Sequence, residues 1–252
     1  MSQPRERLTV IIPCLNEEGN IAATVRSVYA LESEVPVDLE VLVIDDGSTD
    51  GTAEVLRGLA QRFPLRIVTN ERNLGMGRSV LNAYELIAPG SWITVLPGDN
   101  EIDARSILSL LEHRERYDLV LGYLGNPVIR PAGRRAASWA FTTFAGALYG
   151  FDYRYLNGLK LYRVEVFKGI EVFSSGHAYT AELIAKAILR RPGLRVGEAP
   201  FIARGRGGGQ SKAIRPRAVL TAVREVWAGH RSVSRYRREV IEGAGRSGPE
   251  GQ

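Results

Sequence analysis

Two pairs of acidic residues follow apolar runs that have the composition of buried strands. Asp45 and Asp46 end one such run, and Asp99 and Glu101 come shortly after another. Open α/β sheets bind ligands at the carboxyl ends of their strands. Asp45 and Asp46 could therefore accept hydrogen bonds from a ligand's hydroxyl or ring N–H groups. Asp99 and Glu101 could share a divalent ion with a diphosphate, since Mg²⁺ and Mn²⁺ prefer oxygen ligands.

Two further strand ends carry groups that suit the same ligand. Asn16 and Glu17 open a helix after the first strand, although acids at a helix start are also ordinary capping. After the third strand, Gly75 and Gly77 let the backbone approach a ligand closely, and the helix that follows offers its N-terminus to phosphate. Four such strand ends together predict one ligand pocket.

The neighbouring polar residues have structural explanations as well. Ser48, Thr49 and Asp50 are expected to shape the turn and cap the next helix. The stretch 97–100 could be no more than a turn when taken alone. Asp46 could also serve the turn, so the functional interpretation of the acidic pair depends on the convergence of the strand ends.

The elements that would position these residues alternate along the chain. Strand-like runs lie at 8–13, 39–45, 65–69 and 92–98. They alternate with helix-like segments at 20–31, 52–62 and 77–88. This rhythm predicts βα units around a mainly parallel sheet. Beyond residue 100 the pattern predicts helices near 103–116 and 135–150, and strands at 118–122, 158–163 and 195–202.

Composition limits the class of protein. The 252 residues are 44% hydrophobic and 24% charged, which fits one large domain or a domain with an appendage. One cysteine and three histidines favour neither a disulfide framework nor a Cys/His zinc cluster, so we expect a cytosolic protein. No signal peptide is expected, and the apolar stretch 139–151 is shorter than the ~20 residues of a membrane span.

The net charge of +5 conceals a strongly basic C-terminal part. Residues 186–239 contain fourteen Lys and Arg against three Glu. Such an excess predicts an anionic partner, either acidic lipid or a phosphorylated substrate. A nucleic-acid partner is not expected, because the sequence has no recognisable binding module and no basic–aromatic alternation.

One competing motif is a dinucleotide-binding fingerprint. The stretch Gly75 to Val80 with Asp99 about twenty residues on resembles that pattern. Val80 is too bulky for the third small position, and the glycines stand five residues beyond the strand rather than at its end. A dehydrogenase is therefore disfavoured.

Four motifs together resemble a known family. VIIPCLNEEGNI, VLVIDDGSTDGT, NLGMGRSVLNAY and ITVLPGDNE, in this order and spacing, look like the nucleotide-sugar half of family 2 glycosyltransferases. The later pieces RRAAS, LNGLKLYR, HAYTAELIAKA and FIARGRGGGQSK resemble the dolichyl- or polyprenyl-phosphate sugar synthases of that family. The resemblance covers roughly residues 8–212 and implies an α/β GT-A fold, with a Rossmann-like, mainly parallel sheet flanked by helices.

The resemblance implies two sets of donor-binding residues. The nucleotide would be bound by Pro13, Leu15, Asn16, Glu17, Asp45 and Asp46, with Asn73, Gly75 and Gly77 beside it. Members of the branch usually carry Asp-x-Asp-x-Gln after the fourth strand. Here Pro97 replaces the first Asp and Glu101 replaces the Gln. These two replacements put the identity of the metal and the need for it in question. Asp99 and Glu101 remain as candidate ligands for Mg²⁺ or Mn²⁺.

The acceptor half is implied in the same way. GRRAASW matches an Arg-x-x-x-Ser motif that holds the lipid phosphate, through Arg134 and Ser138, with Arg130 a looser candidate. The alternative for such residues is a basic loop at a helix start. ARGRGGGQSK matches a mobile loop approximately, and it assigns Arg204, Ser211 and Lys212 to the diphosphate. Glycine-rich hinges suit such a lid.

The implied reaction inverts the anomeric carbon of a hexose as it passes from a GDP- or UDP-sugar to a polyprenyl or dolichyl phosphate. Metal and cationic side chains would neutralise the leaving diphosphate, which assigns catalysis to Asp99, Glu101, Arg204 and Lys212. A phosphate acceptor is largely ionised at pH 7 and needs no general base. His177 and Glu182 could serve the site or the structure.

Two alternatives stay open. A family 2 enzyme with a soluble, glycan or protein acceptor would need a carboxylate base near the sugar. A module that binds nucleotide sugars without turnover would explain the altered metal motif. Nucleotide release with and without polyprenyl phosphate separates them.

The expected site of action is the cytoplasmic face of a membrane, without crossing it. The apolar residues expected to meet lipid on the helix near 135–150 are Trp139, Phe141, Phe144, Leu148 and Tyr149. The GT-A domain is expected over residues 1–212, with its nucleotide half at 1–101 and its acceptor half at 102–212. A basic amphipathic helix at 213–242 and a disordered tail at 243–252 would follow it. The same apolar faces could instead pack on the domain, form a homodimer or meet a membrane partner protein.

Overall fold

The computed structural model describes residues 6–174, 178–204 and 216–246, with the backbone alone for 216–223 and 242–246. Seven strands form one sheet: β1 (Arg7–Cys14), β2 (Asp38–Asp45), β3 (Leu65–Thr69), β4 (Trp92–Val95), β5 (Leu119–Leu124), β6 (Lys160–Arg163) and β7 (Val196–Phe201). The helices are α1 (Ile21–Tyr29), α2 (Thr52–Ala60), α3 (Met76–Ala83), α4 (Ser106–Leu111), α5 (Ala132–Tyr149), α6 (Val164–Phe167), α7 (Tyr179–Arg190) and α8 (Pro216–Arg246). Each strand predicted from the sequence is present.

The strand order is β3-β2-β1-β4-β6-β5-β7. β1 pairs in parallel with β2 and β4, β2 with β3, and β5 with β7. β6 alone runs against its neighbours β4 and β5. This is the predicted α/β arrangement with a mainly parallel sheet. The reversal of β6 brings its first residue to the edge where the other strands end.

Side chains of the central strands alternate between two cores, as the pleat of a strand requires. Val10 and Val41 lie in one cluster, with α1, α2 and α4. Ile11 and Leu42 lie in the other, with α3, α7 and α8. Both faces of the sheet are therefore covered by helices, which explains the continuous apolar runs of β1 and β2.

Some predicted boundaries were wrong. β4 ends at Val95, before Pro97, whose missing N–H cannot continue a ladder. The helix predicted over 103–116 forms regularly from Ser106 to Leu111. The last helix reaches Arg246, so residues 243–246 belong to it, and the rest of the predicted tail lies outside the described residues. Within the described residues, no helix has the length and apolarity needed to cross a membrane.

The two helices expected to meet lipid are divided between the core and solvent. In α5, Trp139 is 71% exposed while Tyr149 is buried and donates a hydrogen bond to the Val226 carbonyl at 3.2 Å. Phe141, Phe144 and Leu148 pack partly against the core. In α8, Val226 and Val233 are buried and Trp227 is 51% exposed. The inclusion of Tyr149 in a lipid-facing set was therefore wrong, because it anchors α8 to α5.

Candidate active site

The predicted site residues that the structure describes lie along one edge of the sheet. Six strands end at this edge, and β6 begins there. The loops after β1, β2 and β3 carry the predicted nucleotide residues, and the loop after β4 carries the predicted metal ligands. The segments after β5 and β7 carry the predicted acceptor and diphosphate arginines. The sheet thus brings to one edge residues that lie as far apart in the chain as Pro13 and Arg204.

The loops after β1 and β2 are joined by reciprocal hydrogen bonds. The Asn16 backbone N–H donates to Ser48 Oγ at 2.9 Å, and Asn16 Oδ1 accepts from the Thr49 N–H at 2.8 Å. Asp50 Oδ1 accepts from the N–H of Thr52, the first residue of α2, at 3.0 Å. Ser48, Thr49 and Asp50 thus shape the turn as predicted, whereas the N-cap position of α2 is taken by Gly51, which has no side chain. Asn16 holds a left-handed backbone at φ 56°, which asparagine tolerates.

The two acids after β2 have different surroundings. Asp45 is 1% exposed, and its Oδ1 accepts from the Ser48 N–H at 2.9 Å. Beside it, Cys14 lies within the core, where burial and the Asp45 carboxylate raise the pKa of the thiol to about 12. A thiol held protonated in this way has no nucleophilic role.

Asp46 holds the loop that leads to α3. One of its oxygens accepts from Asn70 Nδ2, the Leu74 N–H and Ser79 Oγ at 2.7–2.9 Å, and the other accepts from the Gly75 N–H at 2.9 Å. A carboxylate has about four acceptor positions. These contacts therefore assign Asp46 to positioning the loop and give no support to direct contact with a base or ribose.

The glycines of this loop permit its close packing. Gly75 precedes α3 at its N-cap with φ 84°, a left-handed value that glycine adopts without strain, and Asn73 Oδ1 accepts from its N–H at 2.8 Å. Gly77 is buried in the first turn. Gly47, after β2, approaches the same loop so closely that a Cβ would lie 2.7 Å from the Arg72 carbonyl carbon. The loop is thus shaped before any ligand arrives.

The loop after β4, residues 96–105, carries the predicted metal ligands Asp99 and Glu101, and we call it the metal loop. The Gly98 N–H donates to the Pro13 carbonyl at 3.0 Å, which joins the ends of β1 and β4. Asp99 Oδ1 accepts from the Glu101 N–H at 3.1 Å, so the two acids share one tight turn around Asn100. Leu15 lies exposed at the neighbouring end of β1.

The predicted acceptor arginine reaches the metal loop. Arg134, in the first turn of α5, places its Nη2 3.4 Å from Glu101 Oε2. Arg130 instead donates to Tyr155 Oη at 2.8 Å and lies over that ring. Ser138 lies one turn beyond Arg134 and is half-buried. The structure therefore brings Arg134 to the site and directs Arg130 toward Tyr155.

Arg204 contacts the same loop from the other side. Its guanidinium donates to Asn100 Oδ1 and Asp103 Oδ1, both at 3.1 Å. Its backbone N–H donates to the Glu101 carbonyl at 2.6 Å. Ser211 and Lys212 lie outside the described residues. The metal loop is thus flanked by two predicted cations, Arg134 and Arg204.

Glu182 has a structural environment. It is fully buried, pairs with Lys186 at 2.9 Å, and accepts from the N–H groups of Phe173 and Ser174 at 3.0–3.1 Å. Burial acts to raise the pKa of Glu182, but these hydrogen bonds and Lys186 hold it below the ordinary value. His177, the other candidate in this motif, lies outside the described residues.

The sequence interpretation missed a lysine at this edge. Lys160 begins β6, and burial lowers its pKa to about 7. It lines a cleft of about 660 Å³, with its open mouth included, that extends from Pro97 toward the start of α7. The motif LNGLKLYR contains this residue. Nothing in that motif indicates that β6 runs antiparallel, and only this direction brings its first residue to the site.

Comparison with known proteins agrees with this geometry. The glycosyl transferase family 2 model matches residues 9–170. Dodecaprenyl-phosphate galacturonate synthase of Rhizobium johnstonii is 29% identical over 210 residues, which cover 81% of this chain but 61% of that protein. Dolichol-phosphate mannosyltransferase of Saccharomyces cerevisiae is 27% identical over 220 residues, which cover 81% of this chain and 80% of that protein.

A solved structure shares the fold. Glucosyl-3-phosphoglycerate synthase from Mycobacterium tuberculosis, in complex with phosphoglyceric acid, superposes with a TM-score of 0.66 at 22% identity, covering 91% of this chain and 80% of that one. The family match spans more than half of the chain, and the sheet order and loop positions accord with it. The chain belongs to glycosyl transferase family 2 and is a glycosyltransferase with the GT-A fold.

Proposed function

We propose that this enzyme transfers a hexose from a UDP- or GDP-sugar to a polyprenyl or dolichyl phosphate, with inversion at the anomeric carbon. The observation that carries the proposal is the contact between Arg134 and Glu101. It joins the residue expected to bind the acceptor phosphate to the loop expected to bind the donor diphosphate. The two relatives described above carry different sugars in their names, a hexuronate (galacturonate) and a neutral hexose (mannose), so these names do not point to one donor sugar.

The metal loop fits a divalent ion shared with the donor. Asp99 and Glu101 offer carboxylate oxygens on one turn, which suits Mg²⁺ or Mn²⁺. No group of three acidic, histidine or cysteine side chains that could hold an ion by itself occurs in the described part of the chain. The donor diphosphate would therefore complete the site. Bound there, the ion would neutralise charge on the leaving diphosphate.

Two arginine side chains would bind the remaining phosphate charge of the donor and the acceptor. Arg204 lies on the metal loop through Asn100 and Asp103, where it can turn to the departing diphosphate. Arg134 would hold the acceptor phosphate on the opposite side of Glu101. Such an acceptor is already ionised and needs no base. The described residues that line the cleft include neither a carboxylate nor a histidine, which supports a phosphate nucleophile over a hydroxyl.

The proposed acceptor is a lipid, and the exposed surface suits the cytoplasmic face of a membrane. One stripe of α8 exposes Arg224, Trp227, Arg231, Arg235 and Arg238, which follow helical spacing. Trp139 is exposed on α5. Each basic residue near an anionic leaflet contributes about 1 kcal/mol, so this stripe could hold the protein at the headgroups.

Nucleotide release tests the proposal. UDP- and GDP-sugars would be supplied with Mg²⁺ or Mn²⁺, with and without a polyprenyl phosphate, and the glycolipid identified by mass. We expect release to depend on the lipid phosphate. Arg134→Ala should raise the KM for that phosphate at least about tenfold, as expected for a lost charged hydrogen bond. Arg135→Ala, an exposed neighbour on α5, is the matched control.

Two results would contradict the proposal. Equal turnover of a soluble hydroxyl acceptor without lipid would favour a soluble-acceptor enzyme. Tight nucleotide binding with no turnover of any acceptor would favour a binding module.

A further inference from the structure

The cleft beside the metal loop is lined by hydroxyl groups, one amide and one lysine. Hydroxyl groups come from Tyr84 and Tyr162, which hydrogen-bond each other at 2.7 Å, and from Tyr179 and Thr180 at the start of α7. The remaining polar groups are the Asn157 amide and Lys160. None of the described residues that line the cleft carries a carboxylate, and Lys160 is the one basic side chain among them.

Lys160 has donor capacity to spare. Its ammonium donates to the Gly158 carbonyl at 2.8 Å, and no carboxylate of the described residues forms an ion pair with it. An ammonium has three donors. The other two are thus available to a ligand. A half-buried cation without an acid partner is costly, and an anion in the cleft would remove that cost.

Lys160 lines the cleft, whereas the two arginines of the proposed site contact the metal loop. Pro97 and Ile102 of the metal loop line the cleft, so the cleft begins at that loop. Arg204 and Arg134, by contrast, contact side chains of the loop itself. A donor whose diphosphate sits at Asp99 would place its sugar in the cleft, toward Lys160 and the tyrosines.

We propose that Lys160 selects a donor whose sugar bears a carboxylate, a hexuronic acid, by pairing with that carboxylate in the cleft. This inference rests on the proposed transfer from a nucleotide sugar and specifies its sugar class. The tyrosine and threonine hydroxyls would meet the neutral hydroxyls of the ring. Lys160 is a specificity-determining residue in this scheme and has no part in breaking the anomeric bond.

The first test compares matched donors with polyprenyl phosphate as the acceptor. The pairs are UDP-glucuronate with UDP-glucose, UDP-galacturonate with UDP-galactose, and GDP-mannuronate with GDP-mannose. In at least one pair we expect kcat/KM for the uronate to exceed that for the neutral sugar at least about tenfold, the size expected for a charged hydrogen bond. Lys160→Met should reduce this ratio by about the same factor, and Lys160→Arg should retain part of it.

Lys168→Met is the matched control, since Lys168 pairs with Glu85 on the surface at 3.4 Å. It should leave the ratio unchanged. Thermal melting of each variant excludes unfolding as the cause. If Lys160→Met does not fold, Lys160→Gln replaces it, and the wild-type comparison of donors stands without any variant.

Calorimetry provides a second readout that a purely structural lysine would not change. Burial lowers the pKa of Lys160 to about 7, so the neutral amine gains population above that pH, and a bound carboxylate raises the pKa. Binding of the preferred uronate at pH 8 should therefore take up a proton, which appears as a binding enthalpy that depends on the buffer. The matched neutral donor should show less uptake, and Lys160→Met should show none.

The outcomes separate the two proposals. Turnover of neutral donors at equal or higher efficiency, or an equal loss for both donors in Lys160→Met, would overturn the uronate inference while leaving lipid-phosphate glycosylation intact. Failure of every donor to react with polyprenyl phosphate would overturn the proposed function itself, and uronate-linked proton uptake would then decide the sugar class alone.

Discussion

The buried ion pair between Glu182 and Lys186 supports a quantitative prediction. The two side chains are 0% and 5% exposed and lie 2.9 Å apart. Glu182 also accepts from the N–H groups of Phe173 and Ser174 and from Ser174 Oγ. Glu182→Ala would leave the Lys186 ammonium buried without its acid, and it would leave these donors without their acceptor.

The expected loss is large. Removing one partner of a buried pair costs about 3–5 kcal/mol of unfolding free energy. At about 2–4 °C per kcal/mol for a chain of this size, Tm should fall by roughly 6–20 °C. The double variant Glu182→Met/Lys186→Met removes both charges and should be clearly more stable than Glu182→Ala. Glu54→Ala breaks the exposed pair with Arg57 and should cost less than about 1 kcal/mol.

Urea titration and thermal unfolding at pH 7 measure these differences. The reasoning is refuted if Glu182→Ala is as mild as Glu54→Ala, or if the double variant is no more stable than the single one. Nucleotide release by folded Glu182→Gln decides the role of the residue. We expect turnover to survive, whereas a loss beyond a hundredfold in a folded protein would make Glu182 catalytic.

Four further predictions concern charge. Asp99→Asn should lower turnover and its dependence on Mg²⁺ or Mn²⁺, and full wild-type activity in excess EDTA would contradict a role for metal. Arg204→Ala should lower kcat by about 10- to 100-fold, the loss expected for a charged hydrogen bond made to the leaving group, and single-turnover assays would show whether the chemical step is slowed. The pKa of Glu182 is lower in the folded protein than its ordinary value of 4.5, so its charge stabilises the fold above pH 4.5. This contribution to the free energy of unfolding is lost as the pH falls through the lower folded pKa. In urea titrations, the difference in stability between wild type and Glu182→Gln should therefore shrink as the pH falls through that range. The protein should float with anionic liposomes at low salt and dissociate at high salt; Arg231→Glu/Arg235→Glu should abolish flotation, while reversal of an exposed arginine on α2 should not.

The nucleotide half of the fold could be predicted because each of its signals is local. An apolar run such as 41–44 is itself the strand, and the polar residues that follow must lie where that strand ends. The same reasoning placed Asp99 and Glu101 at the correct edge. The role of Asp46 could not be predicted in this way, since its hydrogen-bond donors lie 24–33 residues further along the chain.

The acceptor half depends on contacts between distant segments. Nothing in the residues around Glu101 indicates that Arg134, 33 positions later, would reach its carboxylate. The direction of β6 is set by its pairing with β4 and β5, since its four residues carry no orientation of their own. Lys160 was therefore not predicted as a site residue, and the sequence left Glu182 open between a site role and a structural role, which its buried partners decide.

The reversal of β6 has a consequence for how this enzyme's substrate preference could diverge. The ladder of β6 is held by backbone atoms, so the side chain at its first position can change without loss of strand pairing. The residues predicted to bind the nucleotide lie at or after the ends of β1, β2 and β3, and all of them precede β6 by more than sixty residues of chain. Substitution at position 160 could therefore retune the sugar while leaving the recognition of the nucleotide intact, a separation that lets gene duplicates acquire new donors through very few mutational steps.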